Sequence, residues 1–155
     1  MNMSLDPKKS YGYQIRGTHR LFARLLEKSI AGSDIKRGDW YLLRVLWEKD
    51  GISQKELSNQ TFLTESSVVT MLHSMAKAGL VVRERDKIDK RRMRILLTDK
   101  ARQLKDDLLP FAREINARAI RNVASEDLDI FMKVLSSMKD NLDDELGTTE
   151  PKRDK

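Results

Sequence analysis

Apolar residues recur every three or four positions from Tyr11 to Ile30, at Ile15, Phe22, Leu25, Leu26 and Ile30, and this spacing predicts one long helix. Gly32-Ser33-Asp34 breaks it. The stretch WYLLRVLWE, Trp40 to Glu48, predicts a second helix with a wide apolar face, stopped by Asp50-Gly51. Ser53 with Glu56 three residues on has the form of a capping box, opening a short helix through Leu57 to about Gln60. Phe62 and Leu63 follow. Thr64 then caps a further helix over roughly 65–78, which Gly79 ends.

Beyond Gly79 the period changes. Leu80 to Arg85 and Met93 to Leu97 are β-like, and the charged run 86–92 between them reads as the turn of a hairpin. Thr98-Asp99 caps a long helix from 99 to about 122, with an interruption or bend expected near Pro110. Ser125-Glu126-Asp127 caps a last helix, about 126–144, carrying Leu128, Phe131, Met132, Leu135 and Met138 on one face. Residues 1–10 are polar and contain Pro7, so a frayed start is expected, and 147–155 read as a disordered tail. The fold class is therefore mainly α with a small β-hairpin. The order helix, helix, capped short helix, second helix, hairpin is that of a winged helix-turn-helix, placed at 35–98.

Charge changes the picture next. The chain has 155 residues and a formal net charge of +6, yet 39% of its residues are hydrophobic, so it is a folded basic domain rather than a disordered polycation. That balance points to a polyanionic partner such as nucleic acid or a membrane surface, although modest positive charge also serves solubility alone. There is no cysteine, which excludes a disulfide framework and a thiolate sensor. MNMSLDPKKSYGYQ lacks an apolar signal region, and no apolar run nears the ~20 residues that span a bilayer. A cytoplasmic location away from membranes is the resulting expectation.

The basic charge is concentrated. Between Arg83 and Arg94 stand seven cations and three acids, whereas 126–145 holds seven acids and two cations. The basic hairpin tip can lie along phosphates or push an arginine into a narrow minor groove. At 100° per residue, Val68, Leu72, Met75 and Gly79 share the inner face of the helix that Thr64 opens. Ser66, Thr70, His73 and Lys77 lie opposite, flanked by Ser67 and Ser74. These side chains are small and hydrogen-bonding, and such a face can approach base edges closely. Taken alone, the helix is equally an ordinary amphipathic one and the tip a solvated turn. Their adjacency favours DNA binding.

These features resemble the multiple antibiotic resistance regulator (MarR) family of transcription factors. The resemblance is carried by Ser53-Gln54-Lys55-Glu56-Leu57, Thr64 to Leu72, Ala78-Gly79-Leu80-Val81, and Asp89-Lys90-Arg91-Arg92 followed by Leu97-Thr98. It covers roughly 11–144 and departs at Ala101, near where the family often has glycine. It implies a homodimer on double-stranded DNA, a pseudo-palindromic operator, and repression relieved by a small ligand. The dimerisation region would comprise 1–34 and 99–146. By position, Arg91 would enter the minor groove, oriented by Asp89. Ser53, Gln54, Thr64, Ser66, Ser67, Thr70, His73, Lys77, Lys90 and Arg92 complete the expected DNA-binding set. Two reading heads about 34 Å apart need a two-fold axis, and the terminal helices look too apolar to stand alone.

The resemblance also implies an effector pocket between the dimer helices and the winged domain, often for aromatic acids or phenolics. Arg16, His19, Trp40 and Arg44 are the candidates: aromatic rings to stack and arginine to meet a carboxylate. Against this, tryptophan at helical spacing is commonly core and arginine commonly surface. With two histidines, no cysteine and no His-x-x-x-His spacing, no metal site or cofactor is expected. No nucleophile elbow, phosphate loop or Ser-His-Asp arrangement marks an enzyme. The main alternative is an architectural DNA-binding protein that responds to no ligand.

Overall fold

The computed structural model describes residues 6–147. They fall into two compact units that divide between Asn116 and Ala117. The first holds α1 (Tyr11–Ile30), α2 (Arg37–Glu48), β1 (Ile52–Ser53), α3 (Gln54–Thr61), α4 (Glu65–Lys77), β2 (Val81–Arg85), β3 (Met93–Leu97) and most of α5 (Asp99–Ala119). The second holds the end of α5 and α6 (Ser125–Glu145). The chain is mostly helical with one small antiparallel sheet: a winged helix.

The core of the first unit decides which faces point outward. Leu42, Leu43 and Leu46 of α2, Leu57 of α3, and Val68, Leu72 and Met75 of α4 are essentially inaccessible to solvent. They pack with Leu80, Val81 and Ile95 beneath the sheet. Burial at 68, 72 and 75 follows the helical period, so it locks the rotation of α4 about its axis and leaves the opposite face free. Gly79 ends α4 at φ +68, and Leu80 N–H donates to the Met75 carbonyl at 2.9 Å. The turn between α3 and α4 is made by Phe62 in the left-handed region, φ 56. Ser58 Oγ fixes it by donating to the Leu63 carbonyl at 2.6 Å.

The sheet runs β1-β3-β2, with Ile52 opposite Ile95 and Arg83 also opposite Ile95. The hairpin of β2 and β3 is as expected, but β1 is an addition. Two residues are too short a run to show alternation, and Ser53 reads from sequence as a cap. Its backbone pairs with Arg94 while its hydroxyl accepts from Glu56 N–H, so it serves both roles.

Other boundaries also differ from expectation. α2 starts at Arg37, not Trp40, because Asp39 Oδ2 accepts Lys36 N–H at 3.1 Å and closes the first turn. α5 runs unbroken through Pro110 and stops at Ala119. Pro110 and Asp106 are both exposed, so the carbonyl lacking an N–H partner can be hydrated. Ser125 does not cap α6: Ala124 occupies that position without a side-chain bond. Of the start expected to fray, residues 1–5 lie outside the described residues; beyond them the Asp6 carboxylate accepts Lys8 N–H ahead of a 3-10 turn at Pro7–Lys9. The tail expected over 147–155 lies, from 148 on, outside the described residues. Among the described residues no helix is long and apolar enough to cross a membrane.

Within the second unit, α6 buries none of its residues. Ile130, Phe131, Met132, Val134 and Leu142 are all at least half exposed.

Candidate nucleic-acid interface and adjoining clefts

The polar face of α4 is built from its N-terminus. Thr64 Oγ1 accepts Ser67 N–H at 3.2 Å and also meets the hydroxyls of Ser66, at 3.1 Å, and Ser67, at 2.9 Å. Ser66, Thr70, His73 and Lys77 are exposed, while Ser67 is half-buried. Thr70 Oγ1 donates back to the Ser66 carbonyl at 3.1 Å. Val69 is also open, at 41% exposure, and adds a methyl-sized apolar contact to a hydroxyl-rich face. Ser53 and Gln54 are half-buried at the start of α3. There Glu56 returns the cap, accepting Ser53 N–H at 2.9 Å and Ser53 Oγ at 2.8 Å. Those bonds, the backbone one foremost, hold the Glu56 carboxyl below its ordinary range.

The wing tip is held by two aspartates. Asp86 Oδ1 accepts the N–H groups of Ile88 at 2.8 Å and Asp89 at 2.9 Å, which lowers its pKa. Asp86 N–H donates to the Arg92 carbonyl, and Arg92 N–H to that of Asp89, each at 2.9 Å. Asp89 Oδ1 accepts both Arg91 N–H at 3.1 Å and Arg91 Nε at 3.3 Å. Its other oxygen lies 3.5 Å from Arg92 Nε. The Arg91 side chain is nonetheless 92% exposed, a cation oriented at its base and free at its end. Lys90 and Arg92 stand exposed beside it.

Three cations outside the expected set tie these parts together. Arg83 Nη2 donates to the Val69 carbonyl at 3.4 Å, joining β2 to α4. Arg94 Nε donates to the Gly51 carbonyl at 2.7 Å and lies 3.8 Å from Asp86. Lys36 Nζ donates to Ser74 Oγ at 3.3 Å, beside the reading face. Arg83 and Arg94 were visible in the basic run as charge. Nothing in that run marks them as braces, because their partners lie 14 and 43 residues away.

On the other side of α2, three adjoining cavities share His19 and Tyr41. The first, about 170 Å³, has Phe22, Leu26, Trp40, Arg44 and Ile115 in its walls. Trp40 is buried, with the Arg44 guanidinium 5.8 Å from its ring centroid. A second, about 610 Å³, extends from Trp40 and Arg44 to the turn residues 60–63. The third, about 760 Å³, is lined by Arg16 and further cations. Thus His19, Trp40 and Arg44 meet in one chamber, whereas Arg16 belongs to the neighbouring cleft. His19 and Tyr41 have ring centroids 6.2 Å apart.

The arrangement places a small polar helix face, a braced basic hairpin and a mixed aromatic-cationic chamber on one unit. A family model for the MarR family matches residues 33–92. The HTH-type transcriptional regulator TtmR of Methylorubrum extorquens is 31% identical over 131 residues, covering 83% of this chain and 65% of that regulator. The chain thus spans just under two thirds of TtmR. A MarR family regulator from Silicibacter pomeroyi has the same fold, with TM-score 0.77 at 23% identity over 88% of this chain and 92% of that one. So does Bordetella bronchiseptica BpsR, whose DNA binding is regulated by 6-hydroxynicotinic acid, with TM-score 0.77 at 18% identity over 85% and 94%.

Proposed function

The chain belongs to the MarR family, and we propose that it is a ligand-responsive transcriptional repressor acting in the cytoplasm as a homodimer. It has no enzymatic step. Each subunit sets α4 in a major groove and its wing along the neighbouring minor groove of a pseudo-palindromic operator. Ser66, Ser67, Thr70, His73 and Lys77 face bases and phosphates, with Ser53, Gln54 and Thr64 at the flanking helix starts. Lys90 and Arg92 neutralise the backbone, and Arg91 enters the minor groove.

The observation that carries this reading is the wing tip. Asp89 organises the base of Arg91 and leaves its guanidinium almost fully exposed. A carboxylate that orients without burying keeps the cation available to an outside anion. Exposed apolar residues on α6, together with Tyr11, Tyr13, Leu21 and Leu25 on α1, support the homodimer: a second copy would cover them.

The effector is a small aromatic acid or phenolic compound bound through His19, Trp40 and Arg44, with Arg16 near by. The chamber offers aromatic walls and a guanidinium for a carboxylate. Its extension to residues 60–63 gives a path to the α3–α4 turn, so occupancy can shift α4. The regulation of BpsR by an aromatic acid lends this support.

The test is a titration of purified protein on the DNA upstream of its own gene against scrambled DNA, with and without a panel of aromatic acids. A repressor prefers the specific site by at least ~10³-fold and loses it to one compound. Equal, steeply salt-dependent binding to both DNAs would replace this reading with the architectural one.

A further inference from the structure

We infer that Ile88 enters the minor groove beside Arg91 and packs on its deoxyribose walls, so that the wing reads groove width as well as charge. This rests on the DNA-binding reading above and adds a specificity-determining residue to it. Of the seven residues from 86 to 92, six are charged and the other is Ile88. Its side chain is 97% exposed, and no large apolar side chain among the described residues is more so. A lone exposed aliphatic residue is ordinary on a protein surface; this one differs in how its backbone is held. Ile88 N–H donates to Asp86 Oδ1 at 2.8 Å, and the next N–H, that of Asp89, donates to the same oxygen at 2.9 Å. The turn is closed by Arg92 N–H on the Asp89 carbonyl and Asp86 N–H on the Arg92 carbonyl. The apex is therefore fixed while its aliphatic side chain stays open. Lys87, Lys90, Arg91 and Arg92 stand exposed around it.

Cations grouped in this way are drawn to the phosphates that border a minor groove. Between those two rows of phosphates lie the sugars, whose C–H surface is the apolar part of the groove. An aliphatic side chain set among the cations is delivered to that surface. Minor-groove proteins bring apolar side chains into the groove in this manner. A narrow groove presses both walls against the side chain, whereas a wide one leaves it partly in water. Narrow grooves belong to A·T-rich runs, so burial of Ile88 favours A·T pairs without a hydrogen bond to any base. Arg83 joins β2 to the Val69 carbonyl of α4, so the tip and the reading helix meet one duplex together.

The experiment is hydroxyl-radical footprinting, with a parallel affinity titration, of the full-length wild type, Ile88→Ala and Ile88→Leu on the duplex upstream of the protein's own gene. Hydroxyl radicals cut DNA by abstracting sugar hydrogens, so an aliphatic side chain on the walls shields them. The wild type at saturation should protect a short minor-groove patch over A·T pairs, flanking the α4 contacts. Ile88→Ala should lose that patch and about tenfold in affinity, with the slope of log K against log salt unchanged, because no cation has been removed. Ile88→Leu should restore both, and all three proteins should melt at one temperature. An alanine variant that keeps the patch and the affinity overturns the proposal. So does a loss accompanied by a shallower salt slope, which would assign the effect to the neighbouring cations, or a wild-type patch that lies over G·C pairs. If wild type binds upstream and scrambled DNA equally while Ile88→Ala still weakens both, the wedge stands and the regulator reading falls.

Discussion

Gly51→Ala should loosen the root of the wing. Gly51 has φ +70, and a Cβ built there would lie 2.5 Å from Arg94 Nη2. Two costs follow. Left-handed backbone is worth about 1–2 kcal/mol against an alanine. The guanidinium must also retreat, breaking its 2.7 Å bond to the Gly51 carbonyl; because Arg94 is half exposed, that loss is set at the low end, about 1 kcal/mol. The sum, roughly 2–3 kcal/mol, corresponds to a fall in Tm of about 5–10 °C for a chain this size. Arg94 also approaches Asp86, which organises the tip, so operator affinity should fall with stability. Differential scanning calorimetry of Gly51→Ala, Arg94→Ala and the double variant separates the two costs. With Arg94 already gone, the alanine should cost only its backbone part. An unchanged Tm, or the same penalty in both backgrounds, would mean that the Arg94 guanidinium does not crowd position 51.

Further outcomes are expected. Asp50 Oδ1 accepts Leu97 N–H at 2.9 Å and its Oδ2 pairs with Arg102 at 2.9 Å; Asp50→Ala should therefore cost about 1–3 kcal/mol in urea melts by stranding a strand donor. Glu56 titrates below its ordinary value of 4.5 in the folded chain. It contributes stability above that pH that is lost as pH falls through the folded value. Thermal melts from pH 6 to pH 3 should thus decline less steeply for Glu56→Gln, and parallel declines would remove the capping box from the acid response. Arg44→Ala should raise, by about tenfold, the aromatic-acid concentration that halves operator occupancy, consistent with one lost charged contact.

What the chain discloses in advance divides by the range of the interaction. The helices of the winged unit, Gly79 as a stop and the Ser53–Glu56 cap rest on neighbours within four or so residues, and the β2–β3 hairpin, though it pairs residues 8 to 16 apart, shows in the alternation of two runs around one charged turn; all were legible. The misses come from longer range or from competition. β1 exists because β3 offers an edge to two residues that carry no strand pattern of their own. Ser125 has the right chemistry for a cap, yet the helix already begins at Ser125, which leaves Ala124 in the capping position. Pro110 reads as a break, but a water-exposed flank tolerates the missing bond. At the site, the polar face of α4 followed from angle alone, since core burial at Val68, Leu72 and Met75 fixes it. The bracing of Arg83 to Val69 and of Arg94 to Gly51 did not, because each joins segments that meet only after folding. The cleft likewise combines α1 with the start of α2, and the earlier start at Arg37 is what brings Lys36 and Arg37 to it.

The most direct measurement is the operator affinity of Arg91→Ala across a range of salt concentrations. The side chain is 92% exposed, so its removal should leave the melting temperature unchanged. Affinity should fall by about 1–3 kcal/mol, roughly 5- to 150-fold, and the slope of log K against log salt should drop by about one for each wing that leaves the DNA. Wild-type affinity with an unchanged slope would contradict the account: the wing would then be a solvated turn, and α4 alone would have to carry recognition.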